Sequence, residues 1–320
     1  SYKSFVKSES EIITLFYDKF ADIPLLSRMD AVAETFIDEI ETLLNRDLPE
    51  EERIPLIEKF RKMYETMDFY ILYNRFLKKE GYQTLPRRPL EKRKLRYEDV
   101  YPVLYLKYRL SRQAERSNIK HLVIDEMQDY SRLQYLIIRR MFSCKMTILG
   151  DRAQTMADQQ QDVLQFLPGI FGKDLRRIEM RKSYRNTVEI ASYAANLIGV
   201  TDLELFERHG MPVLERNVTD LEAALREAVD TLFPEEKTYE TAAVIVPDEK
   251  TAERAYLILR EILAEKDFDC EKRLSWLNRD SSSFKKGLTV TTFYLAKGLE
   301  FDQVFSIFPK DEKREMMMQA

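Results

Sequence analysis

Apolar residues recur at helical spacing through the first 120 positions of the chain. One predicted helix carries an apolar face formed by Val32, Phe36, Ile37, Ile40, Leu43 and Leu44. Asp30 stands where it would cap that helix. The same spacing runs through residues 51–80 and returns in a tyrosine-rich stretch at 97–110, with Gly81 and two prolines between them. The pattern therefore predicts a mainly helical region.

The pattern changes near residue 121, where short apolar runs begin to alternate with amphipathic segments. Two such runs lie at 122–124 and 146–149. Further strands are predicted at residues 176–180, 213–216, 242–247, 288–292 and 303–308. Helices are predicted at residues 131–142, 187–198, 220–233 and 248–265. Residues 266–286 are polar and are predicted to be a loop or the stump of an insertion. This alternation predicts an α/β fold with parallel sheets.

Carboxylates follow the first apolar run directly. Asp125 and Glu126 end the run, and Gln128 and Asp129 come soon after. A strand that presents such a pair is one way to hold Mg²⁺ through its water shell and to activate a water molecule for attack on a phosphate. The alternative interpretation is a strand that ends in an acidic turn.

The second run also ends in polar residues. Gly150 and Asp151 follow it, and Gln154 comes three residues later. A strand, a helix and a strand within about 30 residues fit a right-handed crossover in a parallel sheet. Both polar turns then lie at the carboxyl edge, where open α/β sheets bind their ligands.

Four segments in this order resemble the UvrD/Rep/PcrA group of superfamily 1 helicases. They are similar to that family's motifs Asp-Glu-x-Gln-Asp at 125–129, Gly-Asp-x-x-Gln-Ser at 150–155, Asn-Tyr-Arg-Ser at 183–186 and Thr-x-His-x-x-Lys-Gly-Leu-Glu-Phe at 292–301. The resemblance runs from about residue 121 to about residue 305. It implies RecA-like parallel-sheet lobes, the first one incomplete, and an ATP- and Mg²⁺-dependent helicase or translocase acting on nucleic acid, with DNA expected.

The resemblance also implies roles for single residues. Asp125 is similar to the Mg²⁺-holding aspartate, and Glu126 to the general base. Gln154 resembles the glutamine that senses the γ-phosphate, and Arg185 the arginine that neutralises charge on it. The remaining residues expected to bind the nucleotide are Gln128, Gly298 and Glu300. Two alternatives stay open, a surface arginine at position 185 and a plain turn glycine at position 298.

The chain also departs from the family pattern. It contains no Gly-x-x-x-x-Gly-Lys-Ser/Thr, the loop whose backbone amides and lysine cradle the phosphates. The family's final Tyr-Val-Ala-x-Thr-Arg motif is absent, Tyr294 replaces a histidine, and no aromatic residue follows Gln154 before Phe166. We therefore expect a piece of a longer helicase, inactive by itself, whose strand at 122–124 lacks a neighbour on one side. The alternative is a non-catalytic module that binds RNA polymerase or a repair partner.

Three domains are predicted: a helical subdomain at 1–118, part of the first lobe at 119–172 and most of the second lobe at 173–320. The net charge of −4 means that any contact with nucleic acid needs a local basic stretch. One candidate consists of Arg87, Arg88, Lys92, Arg93, Lys94 and Arg96. The alternative for this stretch is a solvated face.

Cysteine, histidine and hydropathy exclude several classes of protein. Cys144 and Cys270 are far apart, and only two histidines occur, so neither a zinc site nor a disulfide framework is indicated. No signal segment and no long apolar span is present. A cytoplasmic protein with no membrane partner is therefore expected.

Overall fold

The computed structural model describes residues 7–111, 118–151, 162–180, 182–199, 204–232, 239–266, 269–281 and 286–308. Its α-helices are α1 (Glu9–Thr14), α2 (Arg28–Leu44), α3 (Glu50–Arg61), α4 (Phe69–Lys79), α5 (Tyr97–Leu110), α6 (Arg132–Met141), α7 (Val163–Phe171), α8 (Val188–Ile198), α9 (Leu221–Leu232), α10 (Glu249–Ala264), α11 (Cys270–Arg273) and α12 (Phe293–Ala296). Its strands are β1 (His121–Ile124), β2 (Lys145–Ile148), β3 (Lys182–Ser183), β4 (Glu204–Leu205), β5 (Thr241–Val246), β6 (Leu274–Trp276), β7 (Gly287–Thr292) and β8 (Gln303–Ser306).

The described residues form two compact units. The first contains those up to 151 together with 162–176, and the second contains those from 177 onward. Each unit combines helices with parallel strands, which confirms the predicted α/β class. The finer boundaries at 118/119 and 172/173 stay predictions.

The first unit begins with the predicted helical region. Helix α2 buries one apolar face against α3, in a cluster of Val32, Ala33, Phe36, Ile37, Ile40, Leu48, Phe60 and Phe16. Helices α4 and α5 form a second cluster around Tyr70 and Tyr73. Asp68 caps α4 by accepting a hydrogen bond from the Tyr70 amide at 2.9 Å. Short-range capping and apolar spacing thus explain most of this region.

Three details of the helical region differ from the prediction. Asp30 does not cap α2, which begins at Arg28; its carboxylate instead pairs with Arg61 at 2.7 Å. The pattern across 51–80 belongs to two helices, since α3 ends at Arg61 and α4 begins at Phe69. Leu43, predicted on the buried face of α2, is 66% exposed, whereas its neighbour Leu44 packs against the cluster.

The remainder of the first unit is the predicted strand, helix and strand. β1 and β2 are parallel, with His121 opposite Lys145 and Ile124 opposite Ile148. Ser131 starts the intervening helix α6 with a capping box to Gln134. The core below the sheet is a cluster of Ile124, Tyr135, Val163 and Leu167. Among the described residues, β1 pairs only with β2.

The second unit contains a four-stranded parallel sheet in the order β6-β7-β5-β8. Five of the six residues in both β5 and β7 are buried. Helix α10 contributes Ala252, Ala255, Leu259, Ile262 and Leu263 to the same core. The three predicted strands at 242–247, 288–292 and 303–308 are confirmed as the centre and one edge of this sheet.

Three predictions for the second unit were wrong. Residues 176–180 and 213–216 form no strand, and Ile178 is 88% exposed. The predicted loop at 266–286 contains α11 and the edge strand β6. Edge strand β6 has only three residues and pairs with β7. A local sequence pattern does not reveal pairing with a segment that lies elsewhere in the chain. The two-residue pair β3–β4 was missed for the same reason.

None of the helices described has the length and apolar character needed to cross a membrane.

Candidate functional site

The end of β1 turns sharply into an acidic loop. Ile124 is buried, whereas Asp125 and Glu126 are exposed. Oδ1 of Asp125 accepts a hydrogen bond from the Glu126 amide at 2.8 Å. Glu126 has φ 53° and ψ 50°, the left-handed conformation. The other described non-glycine residue with positive φ is Asn45, which ends helix α2 in the usual way. The conformation of Glu126 is therefore the unusual one.

Gln128 ties the ends of the two strands together. Its side chain is buried, with 7% exposed. Its Nε2 donates to Oε2 of Glu126 at 2.7 Å, and its Oε1 accepts from the amide of Asp151 at 3.1 Å. The amide of Gln128 thus orients the Glu126 carboxylate and fixes it against the turn that follows β2. The sequence analysis did not predict these two hydrogen bonds; it predicted that Gln128 binds the nucleotide.

Gly150 allows the two strand ends to approach this closely. A Cβ atom at this position would lie 2.5 Å from Oε1 of Gln128 and 2.6 Å from the amide nitrogen of Met127. No side chain fits in that space without movement of the backbone. Backbone hydrogen bonding between the two strands continues past their ends here, because the Met127 amide donates to the Leu149 carbonyl at 2.8 Å. Glycine in the Gly150-Asp151 turn is therefore required by packing.

Tyr135 supports the acidic loop from below. Its side chain is fully buried, and its hydroxyl donates to the Met127 carbonyl at 3.0 Å. Burial raises the pKa of the Tyr135 hydroxyl, so the hydroxyl stays protonated and remains a donor. The sequence did not single out Tyr135. It stands four residues after the Ser131 cap, two positions before the buried Ile137 of α6.

The carboxylates at this edge suit a cation that keeps most of its water. The described residues contain no group of three or more His, Cys, Asp or Glu side chains placed to hold a metal ion. Mg²⁺ commonly uses only one or two carboxylates and takes its other ligands from water and phosphate oxygens. Within the described part of the chain, Oδ2 of Asp125 has no hydrogen-bond donor. Asp125 therefore fits such an ion, and no protein cage is needed.

Gln154, predicted to sense the γ-phosphate, lies outside the described residues.

The predicted residues of the second unit form a separate group. Nε of Arg185 lies 2.7 Å from Oε1 of Glu300, and both side chains are largely exposed. An exposed pair of this kind contributes little stability, so each partner is readily released to a ligand. Gly298 has φ 81°, and a Cβ there would meet nothing within 4 Å. The positive φ at position 298 explains why a glycine stands there, and this agrees with the alternative of a plain turn glycine.

The loop that holds Arg185 is clamped by charged side chains. Nη2 of Arg208 donates to the Arg185 carbonyl at 2.6 Å. Glu189, at the start of α8, accepts from Nδ1 of His209 and from the Gly210 amide, both at 2.9 Å. The hydrogen bond from His209, followed by that from the Gly210 amide, lowers the pKa of Glu189 to about 2. The backbone around Arg185 is thus fixed although its guanidinium is exposed.

Comparison with known proteins finds a family match over part of the chain. Residues 7–156 match the model of the UvrD/REP helicase N-terminal domain. The match covers the helical region, both strands of the first sheet and the acidic turn between them. No curated protein matches the chain.

Proposed function

Over residues 7–156 the chain belongs to the UvrD-like superfamily 1 helicases, and from this premise we propose that its acidic turn serves ATP hydrolysis coupled to movement on nucleic acid, with DNA as the expected track. The fold of the first unit agrees with this proposal, since the turn lies at the carboxyl edge of a parallel sheet.

The conformation of Glu126 is the observation that carries the proposal. A non-glycine residue in the left-handed region costs roughly 1 kcal/mol and persists only where its surroundings impose it. Gln128 and the Met127–Leu149 hydrogen bond impose it here. Strain of this kind concentrates at functional sites, where a side chain must be held in one orientation before the ligand arrives. An acidic turn with no function gains nothing from it.

The proposed reaction uses a small number of side chains, each with one role. Asp125 would hold Mg²⁺ through water, and the ion when bound would neutralise charge on the phosphates. Glu126 would orient the attacking water and accept its proton. Gln154 and Arg185 would contact the γ-phosphate, where positioning and charge stabilisation supply most of the catalysis. Glu300 would line the nucleotide cleft and release Arg185 to the phosphate.

The chain contains no Gly-x-x-x-x-Gly-Lys-Ser/Thr segment, so we expect the purified chain to show no ATPase activity of its own. A coupled phosphate-release assay with and without oligonucleotide measures this. Nucleic-acid-stimulated hydrolysis by the chain, lost in Glu126→Gln, would show that the phosphates are held in another way.

In the native protein that carries this sequence, Glu126→Gln is expected to slow steady-state hydrolysis by about 10²- to 10⁴-fold while ATP still binds, because only the proton acceptor is removed. Glu253→Gln is the matched control, since Glu253 is exposed on α10 and far along the chain from the site residues. Equal rates for Glu126→Gln and wild type would reject the proposed base.

Arg185→Ala is expected to slow the same reaction, because it removes positive charge from the transition state. Arg260→Ala removes an exposed arginine from α10 of the same unit and serves as its control. If both variants hydrolyse ATP at the wild-type rate, Arg185 is the surface arginine of the alternative interpretation.

The second candidate is a non-catalytic module that binds RNA polymerase or a repair partner. It is favoured by the absence of aromatic residues between Gln154 and Phe166. Stacking of unpaired bases on aromatic rings is the usual means of holding a single strand. ATP-independent binding to polymerase by a native protein that carries Glu126→Gln would favour this candidate.

A further inference from the structure

The turn that carries Arg185 is accompanied by a second stretch of chain, residues 206–210. Before the turn, the Ser183 carbonyl accepts a hydrogen bond from the Phe206 amide at 3.1 Å, which continues the β3–β4 pair. After the turn, the 206–210 segment accepts at 2.8 Å from the amide of Val188, the first residue of α8. The turn is therefore held at both of its ends.

Arg208 makes the contacts at the centre of the 206–210 segment. Its carbonyl is the acceptor for the Val188 amide, and its Nη2 donates to the Arg185 carbonyl at 2.6 Å. A donor that carries a charge makes a stronger hydrogen bond than a neutral one. This bond fixes the peptide plane that follows Arg185, and the rotamers open to a side chain depend on its backbone angles. Arg208 thus limits the directions in which the Arg185 guanidinium can extend.

Glu189 of α8 holds the end of the same segment. Its two carboxylate oxygens accept hydrogen bonds from Nδ1 of His209 and from the Gly210 amide, both at 2.9 Å. A Cβ atom at position 210 would lie 2.7 Å from Cγ2 of Thr187, the residue that caps α8. The 206–210 segment therefore lies as close to the start of α8 as a glycine allows.

Polar contacts, rather than the main core, set the position of the turn. The main core cluster of the second unit is formed by residues between 221 and 307. Arg185, Arg208 and His209 are exposed, so their ion pairs and hydrogen bonds contribute little to the stability of the fold. What these contacts provide is a fixed backbone beneath an arginine whose guanidinium is accessible to a ligand.

We propose that Arg208 and Glu189 are positioning residues, which hold Arg185 in the orientation that stabilisation of the transition state requires. This role rests on the proposed function, in which Arg185 contacts the γ-phosphate. Orientation matters for such a group because a misplacement of about 1 Å can slow a reaction about 100-fold. The Glu300 carboxylate must leave the Arg185 guanidinium before it can meet a phosphate, whereas the two positioning contacts can persist.

The test is a double-mutant cycle on ATP hydrolysis by the native protein that carries this sequence. The variants are Arg208→Ala, Arg185→Ala and the two together. Arg208→Ala should lower kcat about tenfold or more and leave KM within about twofold, because the group that it positions acts in the transition state. In the double variant Arg208→Ala should have no further effect, since the residue through which it acts is absent. Losses that multiply in the double variant would overturn the positioning role.

Arg216→Ala is the matched control for Arg208→Ala. It removes another exposed arginine of the second unit, one that pairs with Glu227 at 3.3 Å, and should leave kcat at the wild-type value. An equal fall of kcat in Arg216→Ala and Arg208→Ala would overturn the positioning role, because the effect would then come from the loss of any surface arginine.

Glu189→Gln tests the second contact. Glutamine has only one acceptor oxygen, so either His209 or the Gly210 amide loses its partner, and kcat should fall in wild type but not in Arg185→Ala. Glu222→Gln is the matched control, because Glu222 is likewise the second residue of its helix and pairs with Arg226 at 3.0 Å. Equal losses in Glu189→Gln and Glu222→Gln would trace the effect to charge at a helix end and reject Glu189.

Hydrogen exchange in the purified chain measures the contact directly. Exchange in the peptide that contains Val188 should rise in Arg208→Ala and stay at the wild-type rate in Arg216→Ala, because the partner of the Val188 amide is loosened only in the first. Unchanged exchange in Arg208→Ala would overturn the positioning role. Wild-type exchange in β5 shows that the unit remains folded, and if Arg208→Ala fails this check, Glu189→Gln carries the same test.

The outcomes separate this role from the proposed function. Wild-type hydrolysis by Arg185→Ala would remove the proposed contact with the γ-phosphate and the positioning role with it. Slow hydrolysis by Arg185→Ala, together with wild-type kcat in both Arg208→Ala and Glu189→Gln, would overturn the positioning role alone.

Discussion

The two parallel sheets of this protein differ in how far they are buried. In the second unit, β5 has a strand on each side, and five of its six residues are buried. In the first unit, Ile124 is the one buried residue of β1, and β2 has none. The apolar runs look alike in sequence, His-Leu-Val-Ile in one and Thr-Ala-Ala-Val-Ile-Val in the other.

The difference shows that burial is a property of the neighbours of a strand. Helix α10 packs on the sheet and covers the β5 side chains of Ala242, Val244 and Val246, and Ala243 and Ile245 between them are buried as well. β1 has only β2 beside it among the described residues, and Val123 is 61% exposed. The sheet that positions the acidic turn is therefore the less protected of the two. An edge of β1 that has no strand beside it in the described part of the chain can pair with another chain.

The largest expected effect comes from placing the same charge in both sheets. Val244 is fully buried in β5, so Val244→Asp should lower the free energy of unfolding by more than about 4 kcal/mol, because the carboxylate gains no partner there. Val123→Asp should cost less than about 1 kcal/mol, since its side chain already faces solvent. Urea denaturation followed by circular dichroism measures both.

Similar losses for Val244→Asp and Val123→Asp would contradict the comparison. They would mean that the exposed face of β1 is covered in solution, either by a second copy of the chain or by residues outside the described ranges. Sedimentation of wild type and Val123→Asp separates these two cases.

The next effect concerns the close approach of the two strand ends. Gly150→Ala places a methyl group 2.6 Å from the Met127 amide nitrogen, so the backbone must move, at a cost of about 1–3 kcal/mol. Gly169→Ala is the matched control, because a Cβ there meets nothing within 4 Å and the position lies inside α7. It should be neutral or stabilise the chain by up to about 1 kcal/mol. Thermal unfolding that ranks both variants equally would rule out the packing role of Gly150.

The smallest effect is a reversal of the usual order of alanine and glycine. At Glu126 the left-handed backbone should make the Gly variant more stable than the Ala variant by about 1 kcal/mol. At Glu253, inside α10, the Ala variant should be more stable than the Gly variant by about the same amount. Denaturation midpoints of the four variants decide this. The ordinary order at both positions would remove the observation on which the proposed function depends.

Local patterns predicted a large part of the fold. Helices α2, α5, α6, α8, α9 and α10 appear near their predicted bounds, because apolar spacing and caps act within a few turns. The strands predicted at 176–180 and 213–216 do not form. Both segments contain apolar residues, but neither pairs with another strand in the described part of the chain. The short strand β6 was missed for the opposite reason, since pairing with β7 formed a strand that its own residues did not indicate.

The candidate site shows the same division. The position of Asp125 and Glu126 after a strand, and of Gly150 and Asp151 after the next one, was already evident in the sequence. The family match over residues 7–156 agrees with that reading. The bracing by Gln128 was not evident, because it depends on the distance between two turns that lie more than 20 residues apart.

By itself the sequence determined which residues are acidic, where the strands that carry them end, and that six basic residues cluster between 87 and 96. Local chemistry suffices for these, because spacing, capping and charge act over a few residues. Only the tertiary structure decided that Glu126 takes a left-handed conformation and that β1 stays half exposed. It also decided that Arg93 pairs with Asp68 and that Arg96 pairs with Asp99. Each of these depends on contacts between segments distant in sequence, and such contacts form only when the chain has folded.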